Sequence, residues 1–246
     1  SPSDLACALA FRVRHDTWTL PDRATLTAPD GNERSLPVHW DGEDGRVVGL
    51  HADTAYTLTL ELGATDGDPE PPILEATATT GALPADLPPL AVTTHDTASA
   101  AGGITVFPVA RWNPFADAGW GYLIAVDAEG EVVWYWDASV LTLAFHVESD
   151  DDGVPWVYTS DFVSTAVAVS PFTGEVRRLD ATTAGIDTVH HEVRPMPGGG
   201  LAVMSTELRQ VGGFDGESLN IVGDRLIEVS WDGSVTTCTR DSTLAN

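Results

Sequence analysis

A chain of 246 residues and 26.0 kDa has room for one large domain or two modest ones, and 43% hydrophobic residues are enough to build a core. Its 37 acidic residues face only 12 basic ones, all of them arginine, for a formal charge of -25; such a field repels DNA, RNA and anionic membranes and excludes nucleic-acid binding. No apolar run reaches the roughly 18 residues of a membrane-spanning helix. Ser1 to Ala10 does not itself read as a secretory leader, which leaves open one already removed. The acid is spread along the chain as a solvated surface, and the absence of lysine fits a GC-rich genome, a salty habitat or both.

Residues 5 to 80 read as about seven short strands. Ala8 to Val13, Arg23 to Ala28, Val47 to Leu50, Thr54 to Leu62 and Leu74 to Thr80 carry the alternating or β-branched pattern, with turns at Pro29–Asn32 and Asp41-Gly42. This predicts a small β-sandwich over 1–83, and Gly49-Leu50, Ala55–Leu58 and Ala76–Thr80 resemble a fibronectin type III or immunoglobulin-like domain. Pro84, Pro88 and Pro89 stiffen a linker over 84–90. Cys7 and Cys238 fit no zinc spacing; they read as two buried thiols, or as partners in a disulfide with each other or beyond the chain.

Residues 91–246 contain a repeat. Tyr122–Trp134, Thr165–Arg177 and Arg225–Thr237 each spell a strand, a turn ending in Gly130, Gly174 or Gly233, and a second strand. The last interval is longer and has room for an insertion around Gln210 to Gly223. Before the last two hairpins, His146–Gly153 leads into Trp156–Asp161 and His191–Gly199 leads into Leu201–Glu207. Four strands per repeat is the signature of β-propeller blades, about three of them here. A propeller closes with roughly four to eight, so the expectation is an incomplete propeller whose remaining blades lie on the same chain, a cleaved piece or another chain.

Histidines at the starts of inner strands can point into a propeller channel, and His146, His190 and His191 hold such positions. Neighbouring strand residues face opposite ways, so only one of His190 and His191 is expected to face the channel squarely. The chain carries no serine-hydrolase elbow, metalloprotease helix, P-loop or dinucleotide fingerprint.

The segment from Asp187 through His190-His191 and Pro195-Met196-Pro197-Gly198 to Leu201 resembles the bacterial arylsulfotransferase family, as does the hairpin Val126–Trp134. Glu192 stands where the family usually has Asp, and Gly198–Gly200 replaces a more Asn-rich turn. The resemblance implies a β-sandwich joined to a six-bladed propeller. It also implies movement of a sulfuryl group from an aryl sulfate to a phenol acceptor through a sulfated histidine, without a nucleotide donor, outside the cytoplasm. His191 or His190 would then hold a sulfate oxygen or the leaving phenolate, with His146, Arg194 and Arg209 as candidate substrate-binding residues. The nucleophile is expected in later blades, so this chain alone is expected to be inactive.

Other features read less specifically. Asp150–Asp152 before Gly153 could bind calcium but lacks the later Glu of an EF-hand loop, and reads first as an acidic hairpin turn; otherwise no metal or cofactor is expected. Trp112, Trp120, Trp134, Trp136 and Trp156 suit a sugar or phenol site or the wedge between blades. His15, His39, His51 and His95 are assigned nothing. The alternative to an enzyme is a noncatalytic extracellular propeller used in adhesion, as a scaffold or as a filament subunit, because one fold serves many functions.

Overall fold

The computed structural model describes residues 6–14, 18–63, 72–96, 102–111, 120–138, 144–150, 153–161, 163–212, 216 and 218–239. Of these described residues, 57% lie in strands and 2% in helix, the all-β class that the sequence predicts. Two compact units make up the chain. One comprises Ser1–Phe107, Ile124–Trp136 and Pro171–Gly174; the other comprises Pro108–Leu123, Asp137–Ser170 and Glu175–Asn246.

The first strands are β1 (Ala8–Arg12), β2 (Arg23–Thr27), β3 (Glu33–Pro37), β4 (His39–Asp41), β5 (Asp44–Val48), β6 (Ala55–Glu61) and β7 (Ile73–Thr79). They form two antiparallel sheets, β1-β5-β4 and β3-β2-β6-β7. Strand β6 shows why they pack. Tyr56, Leu58 and Leu60 alternate with Thr57 and Thr59, so one face is buried and the other half wet. Leu9 and Val47 from one sheet meet Leu26, Tyr56 and Leu58 from the other in a single core. Gly45 has its own reason: a Cβ there would lie 2.5 Å from the Phe11 ring and 2.7 Å from the Trp40 ring, so only glycine lets those aromatics lie over the strand.

Strands β8 (Thr105–Arg111), β9 (Trp120–Val126) and β10 (Val132–Asp137) form a sheet in the order β10-β9-β8. Next come β11 (Phe145–Ser149), β12 (Pro155–Ser160), β13 (Thr165–Val169) and β14 (Val176–Asp180), then the short helix α1 (Ala181–Ala184). The last four are β15 (His190–Pro195), β16 (Leu201–Gly212), β17 (Ser218–Val229) and β18 (Val235–Thr239). Each set of four pairs in sequence order, an up-and-down antiparallel meander, as the repeat predicts. Their facing sides share a core of Ala166, Leu179, Val193, Leu201, Val203, Ile227 and Val229, with α1 contributing Ala181 and Ala184.

The turn glycines explain the repeat. Gly130, Gly174 and Gly233 have φ of 85°, 69° and 88°, a left-handed backbone that L side chains rarely adopt. Gly233 is also crowded, because a Cβ there would sit 2.8 Å from the Thr183 carbonyl oxygen. Gly233→Ala is therefore expected to destabilise the protein by about 2–3 kcal/mol, against about 1–2 kcal/mol for Gly153→Ala, where the strain is the same but the space is open. Urea midpoints of the two variants measure the difference.

The region around Gln210 to Gly223 is not an insertion set beside the hairpin. It continues β16 and β17 as one antiparallel ribbon, in unbroken register from Leu201↔Val229 to Gly212↔Ser218.

Candidate functional site

The His190-His191 segment is fixed at both ends by burial. Val189 and Val193 are core residues. The Thr188 N–H donates to Ser205 Oγ at 3.1 Å, and the Thr206 N–H donates to Thr188 Oγ1 at 2.9 Å, which stitches the start of β15 onto β16. The register then breaks: His190 pairs with Met204 and Val193 with Val203, so His191 and Glu192 are extra residues in a bulge. His191 takes the left-handed conformation at φ 57°, a strain of about 1–2 kcal/mol for a residue with a Cβ.

The bulge separates the two histidines. His191 is exposed, whereas His190 is only 8% exposed and its Nε2 has no hydrogen-bond partner among the described residues. Asp224 Oδ1 lies 3.5 Å away, within ion-pair range but without a hydrogen bond. The His191 ring stands edge-on at 5.0 Å. Burial holds the His190 imidazole below the usual histidine range, opposed by the Asp224 carboxylate and assisted by His191. His190 is thus neutral at pH 7, buried, and holds an uncommitted ring nitrogen.

The unfolded chain binds the His190 proton more readily than the folded one. The stability tied to its neutral form is therefore complete above the ordinary histidine value and falls as pH drops from there through the lowered one. Asp224→Asn removes the upward influence of that carboxylate, so it is expected to lower the His190 midpoint further, read from its Cε1–H chemical shift against pH.

His146 and Arg194 come together. Arg194 Nη1 lies 2.6 Å from His146 Nδ1, and His146 Nε2 lies 3.0 Å from Glu148 Oε2. A guanidinium cannot accept, so Nδ1 is the acceptor and Nε2–H donates to Glu148, which makes His146 the neutral Nε2–H tautomer. Arg194 Nε also donates to Glu192 at 2.9 Å. Arg209 stands apart on the long ribbon, paired with Glu207 at 2.8 Å. Among the described residues, no hydrogen bond or ion pair connects His190 to His146, Arg194 or Arg209.

Two groups of residues escaped sequence reasoning. Asp224, beside Arg225 in the otherwise apolar run Ile221–Ile227, is one; a charged pair inside such a strand is the available signal. The other is a cluster around Asp127, in which Arg34 Nη2 and His51 Nε2 both lie 2.7 Å from Asp127 Oδ2.

The remaining candidates resolve plainly. Asp150 uses Oδ1 to accept from the Val154 N–H and Oδ2 to accept from Trp156 Nε1, each at 2.9 Å; Asp151 and Asp152 lie outside the described residues. No three His, Cys, Asp or Glu among the described residues converge as metal ligands. Trp156 is buried with Arg177 stacked 4.2 Å above its ring, Trp134 and Trp136 are half-buried, and Trp112 and the side chain of Trp120 lie outside the described residues. Cys7 is a free, buried thiol pushed up to about 12 by burial, so it is protonated and unreactive; the Cys238 side chain lies outside the described residues. His39 lies 6.3 Å from Phe172, His95 is exposed, and His15 lies outside the described residues. No helix among the described residues is long and apolar enough to cross a membrane.

Comparison with curated proteins gives no match. Comparison with protein families does: the arylsulfotransferase (ASST) family matches residues 96–242, which is more than half of the chain and includes the sheets β11–β14 and β15–β18 and the His190-His191 bulge. The chain belongs to the arylsulfotransferase family.

Proposed function

We propose that this chain serves the nucleotide-independent transfer of a sulfuryl group from an aryl sulfate to a phenol, and that His190 binds the group being transferred. The carrying observation is the buried, unpartnered Nε2 of His190, held neutral and set by a strained bulge. Unsatisfied buried polar groups are rare because each costs about 1–3 kcal/mol, and one at a position expected to line a propeller channel supports a ligand that completes it. A sulfuryl oxygen or a departing phenolate accepts such an N–H, and a dry site strengthens the bond as charge develops.

In this reading the meanders β11–β14 and β15–β18 are propeller blades following a sandwich over 1–83. The attacking imidazole belongs to a different blade. Its nitrogen lone pair attacks sulfur and the sulfur–oxygen bond to the aryl ring breaks, releasing phenolate. The acceptor phenol oxygen then attacks the sulfur, the nitrogen–sulfur bond breaks, and the phenol proton passes to a base. Splitting the transfer this way replaces one difficult step with two easier ones.

Calorimetric titration of the chain with 4-nitrophenyl sulfate and with 4-nitrophenol tests the reading. Aryl sulfate binding at least tenfold tighter than phenol binding is expected; equal affinities, or no binding of the sulfate, would contradict it.

One observation favours the scaffold alternative. Leu208 and Val222 face each other on the long ribbon and are 63% and 66% exposed, and two-stranded ribbons are marginal in water without cover. If assembly is the role, Leu208→Ser abolishes self-association seen by light scattering; a chain that is monomeric without the substitution removes this alternative.

A further inference from the structure

A groove of about 330 Å³ lies at the end of the sheets away from His190, separated from it by the length of β15, roughly 15 Å. One wall is a face of the β11–β14 sheet. The pairs Glu148↔Trp156, Tyr158↔Ala168 and Ala168↔Arg177 place Glu148, Trp156, Tyr158 and Arg177 on that single face. The other wall is the turn Met196–Gly200 together with Trp231, which follows β17.

The charges in this groove are already matched. Arg177 lies over the Trp156 ring at 4.2 Å and donates through Nε to Glu175 at 2.9 Å. Asp150 accepts from the Val154 N–H and from Trp156, and Glu148 accepts from His146. An incoming anion therefore meets a cation already shared, and an incoming cation meets an Asp150 engaged at both oxygens and a Glu148 already holding the His146 donor at one. Two neutral polar tips are uncommitted: among the described residues, neither Tyr158 Oη nor Trp231 Nε1 takes part in a hydrogen bond. Burial holds the Tyr158 phenol above its ordinary value, so it stays an O–H donor at neutral pH.

We infer that this groove is a binding site for a neutral pyranose, whose apolar ring face lies against Trp231 and whose hydroxyls meet Tyr158 Oη, Trp231 Nε1 and the free edge of Glu148. Aromatic surface with a few convergent neutral donors and acceptors is the chemistry that recognises a polyhydroxylated ring, and the volume falls at the small-ligand end of the usual range. The site shares no residue with the His190 bulge, so it stands or falls independently of sulfuryl transfer.

The test uses the whole chain, with tryptophan fluorescence and calorimetry against the methyl glycosides of glucose, galactose, mannose and N-acetylglucosamine, and with sodium sulfate and ethylamine as charged controls. At least one glycoside is expected to bind saturably in the millimolar range, without competition from 4-nitrophenyl sulfate. Trp231→Ala should abolish that binding. Because Trp231 also packs on the core, Tyr158→Phe supplies a variant that keeps the ring and loses only the hydroxyl, with an expected weakening of about five- to tenfold. Failure of all four glycosides to bind, binding indifferent to Tyr158→Phe and Trp231→Ala, or a charged control taking the groove in their place would overturn the inference.

Discussion

Replacing Asp127 with asparagine is expected to destabilise the protein by about 2–4 kcal/mol at pH 7, the range for breaking a largely buried, hydrogen-bonded charge pair. The Asp127 side chain is 11% exposed and receives Arg34 Nη2 and His51 Nε2 at one oxygen, each at 2.7 Å. Arg34 Nη2 and His51 Nε2 also lie 2.9 Å apart. If Nε2 were unprotonated, its lone pair would face the carboxylate, so Nε2 carries hydrogen and both cation and imidazole donate to Asp127. The other carboxylate oxygen accepts the Glu129 and Glu131 N–H groups, which shapes the Gly130 turn. One side chain thus ties β3 and the residue after Leu50 to the β9–β10 hairpin.

Its pH signature separates this from general loss of packing. Burial pushes the Asp127 carboxyl up, but hydrogen bonds from Arg34, His51 and the Glu131 N–H more than offset that and hold it below the ordinary carboxylate value. A depressed carboxyl contributes stability that is complete above the unfolded value and is lost as pH falls through the folded one. The gap between native protein and Asp127→Asn should therefore be widest near neutrality and close at acid pH below the usual carboxylate range. Urea midpoints across that range measure it. A gap that stays constant with pH would show that the charge itself contributes nothing.

The second large effect concerns His190. His190→Ala is expected to weaken 4-nitrophenyl sulfate binding about ten- to hundredfold, the worth of one hydrogen bond from a buried donor to a charged acceptor. Truncation alone could act through the cavity it leaves. His190→Gln distinguishes the two, because its amide nitrogen reaches close to the Nε2 position and restores a donor. Partial recovery of affinity in the glutamine variant is the expected outcome, and equal losses in both variants would point to packing instead.

Much of this architecture is legible in the sequence where one face of a strand is buried. The alternation from Tyr56 to Leu60 fixes β6, and the three turn glycines mark β9–β10, β13–β14 and β17–β18 because their positive φ leaves few other residues acceptable. Strands β3 and β4 were not legible: Glu33–Pro37 is polar and ends in proline, and His39–Asp41 is three residues long. The ribbon around Gln210 was misleading, since Gly212, Gly213 and Gly216 suggest a loop while the flanking residues keep their cross-strand pairing.

The candidate site was legible only in part. His190 and His191 stand out as a pair, but nothing local announces that His191 turns left-handed and leaves His190 buried. That outcome depends on the register of β16, which is set by Val193↔Val203 and Leu201 far along the hairpin. Asp224 reaches His190 only because β17 pairs with β16, and Asp127 meets Arg34 across 93 residues of chain. Such contacts are products of topology, which residue spacing alone does not encode.

The most direct test of the account is a long-range 15N–1H spectrum of the histidine rings during titration with 4-nitrophenyl sulfate, with His190 assigned by its absence in His190→Gln. The Nε2 and Cε1–H signals of a neutral His190 are expected to move saturably as the aryl sulfate binds, while those of exposed His95 stay still. Saturable binding that leaves the His190 signals unmoved would contradict it.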